Sequence, residues 1–204
     1  MHLVEGILRR GFVLVLVALA GGASAQEKKL EAGVQLALNS LDELDSTDVG
    51  FGGRLAFRPA SLFAVEGELN FFPEDIPSQV PVTSSRLEGL FGVRVGPRFE
   101  RVGLFAKLRP GFVRFGEAPG PFACILIYPP PLGCVLSSGE TVFALDAGGG
   151  VEFYPSERSL VRVDVSGLWL QYPGPAITRN GEAIQEDSFW RGNFRISFGA
   201  ALRF

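Results

Sequence analysis

Histidine is all but missing from this chain. Of its 204 residues only His2 is a histidine, and it lies in the first 25 positions. Downstream of that segment no Ser-His-Asp, Cys-His or histidine-bound metal site can be assembled. Carboxylate pairs such as Glu66 and Glu68 remain for acid–base chemistry. They share a strand face with an arginine expected alongside, which favours a structural part. The expectation is therefore no enzyme and no cofactor. A basic excess is also missing: the formal net charge is −3, so the field that a nucleic-acid binder needs is not there. Beyond the N-terminal segment no stretch approaches 18 consecutive apolar residues, which excludes a helical membrane span. There is a single Met, and helix-forming residues in a 3.6-residue rhythm are scarce.

Two cysteines are present, Cys124 and Cys134. Their separation in an exported chain makes a disulfide the expected state. Two thiols with no histidine nearby make a poor metal site. The residues between them, Ile125-Leu126-Ile127-Tyr128-Pro129-Pro130-Pro131-Leu132-Gly133, are apolar for an exposed loop. A stapled loop folded over a barrel mouth accounts for this; a ligand-contacting tip is the other reading.

What the chain does have begins with an export signal. Arg9 and Arg10 precede the apolar run Phe12 to Ala20, and Ala23-Ser24-Ala25 supplies an A-x-A cleavage box. Residues 1–25 are expected to be removed after Ala25, so that the mature chain starts at Gln26. An uncleaved anchor helix is the alternative. The remainder, 26–204, has the length of one domain and carries 17 basic and 21 acidic residues once Arg9, Arg10 and Glu5 are set aside.

Along that domain, apolar and polar residues alternate with period two. Leu30–Asn39, Val49–Arg58, Phe63–Phe72, Leu87–Arg98, Val102–Arg114, Val142–Tyr154, Leu160–Gln171 and Trp190–Phe204 each read as a strand. Each is about ten residues or slightly longer, which a tilted strand needs to cross a bilayer. Short links (Pro59–Leu62, Phe99–Arg101, Pro155–Ser159) alternate with long ones (Asn39–Asp48, Pro73–Arg86, Gly116–Thr141, Pro173–Phe189). The expected architecture is an all-β, eight-stranded antiparallel up-and-down transmembrane barrel. Parity fails beyond Pro110, where Val113 and Phe115 take the polar face, and near Gln171, where Leu168 and Leu170 do. A bulge, or a strand leaving the membrane, is expected there.

The polar face carries Glu31, Arg54, Arg58, Glu66, Glu68, Glu88, Arg94, Arg98, Lys107, Arg109, Asp146, Glu152, Arg162, Asp164, Arg195 and Arg203, interspersed with Gly33, Gly52, Gly92, Gly148 and Gly150. An arginine or lysine facing lipid at midplane costs about 2–4 kcal/mol. A set this large must therefore face the lumen and pair. The turn lengths place Arg54 beside Glu66 and Glu68, Glu152 beside Arg162, and Lys107 near Asp146. Arg94 and Lys107 come out as adjacent like charges needing those carboxylates. Phe57, Phe63, Phe99, Phe153, Tyr154 and Phe204 cluster at the short-turn end. Trp169, Tyr172 and Trp190 cluster at the long-loop end, as two aromatic girdles.

The signal, the strand order, the link lengths and the terminal Arg203-Phe204 resemble the small outer-membrane β-barrel family of the OmpA/OmpX, porin-like type. Gly96-Pro97-Arg98-Phe99 and Gly150-Val151-Glu152-Phe153-Tyr154-Pro155 look like its strand-to-turn junctions. The likeness covers nearly the whole mature chain and rests on the order of the segments. It implies an outer-membrane location in a Gram-negative-type bacterium and outer-membrane lipid as solvent. It also implies recognition of the C-terminal strand, ending in Phe204, by the barrel assembly machinery. It implies no single activity, and the ligand is left unknown. Enzymatic barrels of that membrane rely on a histidine that this chain lacks. The expected role is structural or interactive at the cell surface, with a narrow pore as a second use of the lumen. The rival from another class is a soluble exported barrel holding a small apolar ligand.

Overall fold

A computed structural model describes residues 28–41, 46–73, 85–116, 139–174, 176–179, 182–185 and 187–204. Among the described residues ten strands form in order: β1 (Leu30–Leu41), β2 (Ser46–Ala60), β3 (Phe63–Phe72), β4 (Arg86–Val95), β5 (Val102–Phe115), β6 (Thr141–Phe153), β7 (Ser159–Tyr172), β8 (Ala176–Arg179), β9 (Glu182–Gln185) and β10 (Phe189–Arg203). Eight of them close into an antiparallel barrel in the order β1-β10-β7-β6-β5-β4-β3-β2. Closure leaves the barrel sheet without an unpaired edge. At the seam Glu31 lies opposite Arg203, and Leu30 and Phe204 exchange backbone hydrogen bonds, with Phe204 N–H donating at 2.8 Å and Leu30 N–H at 3.3 Å.

The short links are tight for local reasons. In the β6–β7 turn the Ser156 hydroxyl accepts the backbone N–H groups of Arg158 (3.2 Å) and Ser159 (3.1 Å). In the β4–β5 link Phe99 N–H donates to the Val102 carbonyl (2.8 Å) and Leu104 N–H to that of Pro97 (3.0 Å). The ladder between β2 and β3 shifts register between Phe57 and Ala60, around Pro59, which has no N–H to give.

The two faces have the chemistry of an inverted globule. Outward side chains are apolar: Val34, Leu36, Leu55, Leu69, Phe91, Leu104, Val163 and Phe198 are all exposed. Inward side chains from the short-turn end to mid-barrel are charged and buried, Arg109, Asp146, Arg162 and Arg195 completely so. Toward the long-loop end the interior becomes apolar: Leu90, Val113, Phe115, Val142, Ala144, Leu168, Leu170 and Tyr172 form a buried cluster with Phe189 against it.

That cluster, rather than a bulge, accounts for the change of parity at Pro110 and Gln171. The β5–β6 register runs unbroken from Val102 opposite Phe153 to Arg114 opposite Thr141, with Pro110 opposite Leu145. There is no bulge in that ladder. Val113, Phe115, Leu168 and Leu170 face inward as the parity requires, and the lumen itself changes from ionic to apolar. Two links also differ from expectation. Leu41 pairs with Ser46, so the first long link shrinks to 42–45. The fourth contains a hairpin, β8–β9, which the alternation did not reveal.

Candidate functional site: an ion-filled lumen

The lumen is packed with ion pairs arranged in tiers. Nearest the short turns, Glu31 takes Arg94 Nη2 at 2.8 Å and lies 3.6 Å from Arg58 Nη2 and 3.8 Å from Arg203 Nε. Glu152 accepts the Tyr154 hydroxyl at 2.5 Å, lies 3.4 Å from Arg58 Nη2 and pairs with Arg94. One tier on, Glu66 takes Arg162 Nη1 at 2.7 Å and Arg109 Nη1 at 3.1 Å. Asp164 takes Arg162 Nε at 2.9 Å and the Ser197 hydroxyl at 2.8 Å, and pairs with Lys107. Asp146 holds Arg109 through Nε (2.9 Å) and Nη2 (2.7 Å), accepts Ser166 Oγ at 2.6 Å and lies 3.4 Å from Lys107.

Farther toward the long loops, Glu68 takes Arg109 Nη1 at 2.5 Å and pairs with Arg195, whose Nη1 also reaches Glu88 at 2.5 Å. Asn70 ties the two carboxylates together, donating to Glu68 at 2.7 Å and to Glu88 at 2.9 Å. Its carbonyl oxygen accepts Gln35 Nε2 at 2.7 Å. Arg94, Arg109, Arg162 and Arg195 thus each span two or three carboxylates. The bidentate fork suits the guanidinium and would be lost with lysine.

The structure brings most sequence-predicted residues into this network, with some partners exchanged. Arg54 stands opposite Glu68 in the β2–β3 register. It is buried, yet its Nη2 has no protein hydrogen-bond partner. Among the described residues, Glu66 and Glu68 form their ion pairs with Arg94, Arg109, Arg162 and Arg195 instead. Glu152 and Arg162 are opposite in register, but each pairs elsewhere. Arg94 and Lys107 are indeed opposite like charges, and each is compensated by its own carboxylates.

Three placements are corrections. Arg98 lies beyond β4, exposed at the short-turn rim, with its guanidinium 4.1 Å above the Tyr154 ring. Tyr154 and Tyr172, expected in the girdles, are buried and face inward. Phe57, Phe99, Phe153, Phe204, Trp169 and Trp190 face outward and are exposed. Phe105 escaped the sequence reading. It sits in the lumen with the guanidinium of Arg162 4.1 Å and that of Arg94 5.5 Å from its ring. Its parity, shared with Lys107 and Arg109, was the available signal. Cys124 and Cys134 lie outside the described residues, as does the segment 1–25.

Small side chains make room for the long ones. A Cβ placed on Gly150 would come 2.6 Å from the Asp164 Cβ, and one on Gly148 2.5 Å from the Ser166 Cβ. Both contacts are with residues directly across the ladder.

A closed barrel with an ionic interior and an apolar exterior is a membrane barrel, because burying charge while exposing hydrocarbon is stable only where the surroundings are lipid. No protein-family profile matches the chain, and no curated protein matches it. Solved structures do. The N-terminal β-barrel domain of Pseudomonas aeruginosa OprF superposes with a TM-score of 0.53 at 10% identity, over 87% of this chain and 98% of that one. Neisserial surface protein A gives a TM-score of 0.49 at 13% identity, over 86% and 96%. The outer-membrane protein AlkL, determined in DMPC bilayers, gives 0.49 at 15% identity, over 91% and 94%. The chain has the fold of the small eight-stranded outer-membrane barrels.

Proposed function

We propose that this protein resides in a bacterial outer membrane as a closed barrel, serving a structural or interactive role at the cell surface through its long loops. The observation that carries this reading is the filled lumen. Arg109, Asp146, Arg162 and Arg195 are completely buried inside it, and the apolar cluster around Leu90, Leu168 and Leu170 occupies its long-loop end. An eight-stranded barrel has an interior just wide enough for side chains, and here charged and apolar groups fill it in turn. That favours a plug over a narrow pore. It also opposes a soluble barrel with an apolar ligand inside, which would need the reverse placement of charge and hydrocarbon. The absence of histidine beyond His2 supports a role without catalysis.

The test is reconstitution of the mature chain in lipid vesicles. Expected are a heat-dependent change in gel mobility and no ion conductance above that of the lipid alone. Steady single-channel conductance would overturn the closed lumen. A monomer that stays soluble without detergent would overturn the membrane assignment. The same reading makes Cys124 and Cys134 a disulfide within the third long loop. Intact-mass measurement without reductant should show the chain two hydrogens light, and two free thiols would sink it.

A further inference from the structure

The short-turn end of the barrel is a basic collar set among outward aromatic side chains. Arg98, Arg101 and Arg158 are exposed there, and among the described residues none of the three takes part in an ion pair. Glu100 and Glu157 are the acidic residues of the same turns, and Glu157 lies 3.5 Å from Lys28. Arg98 is held in place by its stack on Tyr154, whose hydroxyl is anchored to Glu152. At the tips of these turns Leu62 and Phe99 are more than half exposed.

We infer that the short-turn collar binds the phosphate groups of anionic phospholipids in the leaflet it faces. This rests on the membrane reading above. The collar fits a lipid better than a soluble anion because the short-turn links also carry the exposed Leu62 and Phe99 and adjoin the exposed Phe153. Phe57, Phe153 and Phe204 stand exposed on the wall beside the turns, so a single diacyl lipid meets aromatic rings along its chains and guanidinium at its headgroup. Guanidinium is also the cation whose planar fork matches a phosphate. Each such arginine is expected to contribute about fivefold to the retention of an anionic lipid.

The test uses the full mature chain folded in vesicles of phosphatidylcholine alone or mixed with phosphatidylglycerol, with folding checked by gel mobility. Co-retained lipid is then counted by native mass spectrometry. The wild type is expected to keep phosphatidylglycerol in several-fold preference, and high salt is expected to weaken that preference. The triple variant Arg98→Gln, Arg101→Gln, Arg158→Gln should fold alike and lose it. Equal retention of the two lipids by the folded wild type would overturn the inference and leave the barrel reading standing. So would an undiminished preference in the triple variant. Failure of the wild type to insert into either vesicle would overturn both.

Discussion

Arg109 and Asp146 face each other across the β5–β6 ladder, and the guanidinium sends both Nε and Nη2 to the same carboxylate oxygen. The remaining nitrogen, Nη1, reaches Glu66 and Glu68 on β3. One side chain therefore contacts three carboxylates and links β5 and β6 to β3, which lies beyond β4 in the barrel order. Replacing it with leucine removes a cation that three buried carboxylates share, and breaking a buried ion-pair network in this way typically costs about 3–5 kcal/mol. Urea unfolding in liposomes should show a loss of that size for Arg109→Leu. Adding Asp146→Asn should restore part of it, since fewer uncompensated charges remain. A neutral Arg109→Leu would mean that the lumen is hydrated enough to screen the cluster.

Arg54 is expected to behave differently. Its Nη2 lacks a hydrogen-bond partner, and Glu66 and Glu68 keep their other arginines if it is removed. Arg54→Leu should therefore cost about 1 kcal/mol or less, well below Arg109→Leu in the same unfolding series. Equal losses would show that Arg54 pairs with Glu66 or Glu68, as its register alone suggests.

Glycine positions offer a test of lumen packing. On the inward face, Gly150→Ala drives a methyl against Asp164 and is expected to cost about 1–3 kcal/mol by overpacking. On the outward face, Gly67→Ala meets only the Phe91 ring edge at 3.6 Å, an ordinary contact, and should be close to neutral. Parallel unfolding curves for the two variants would contradict the assignment of faces.

Val165 lies near the middle of β7 and is exposed on the outer wall. In a bilayer, Val165→Arg is expected to lose about 2–4 kcal/mol, the midplane cost of a lipid-facing arginine. On a water-facing surface the same change would stay within about 0.5 kcal/mol of neutral. The unfolding free energy in liposomes separates the two.

Phe204 closes the seam through its backbone while its ring points outward. Deleting it removes both the last backbone pairing and the terminal aromatic group. Cell fractionation should then find less folded protein in the outer membrane with export unchanged. Undiminished outer-membrane levels would argue against a role for Phe204 in assembly.

Strand order and facing were legible in the sequence because a strand has a period of two, and one face of this barrel must be apolar while the other need not be. Glu66, Glu68 and Asn70 alternate with Val65, Leu69 and Phe71, and no other periodicity fits them. Turn lengths carried the register as well, which is why Arg54 came out opposite Glu68 and Arg94 opposite Lys107. Two features at the short-turn end were misread at the single-residue level. Arg98 continues the strand rhythm in the sequence, but the chain has already begun to turn there, whereas Tyr154 shares the inward parity of Glu152 and follows it into the lumen instead of joining the girdle.

The ion-pair partners were decided only by the closed barrel. Arg162 reaches Glu66 across 96 residues of chain, and Arg195 reaches Glu68 across 127. Neither pair is adjacent in any ladder. A long guanidinium side chain crosses the lumen rather than stopping at its neighbouring strand. Which carboxylate it meets therefore depends on the barrel's diameter and stagger, and those exist only after the first and last strands have joined.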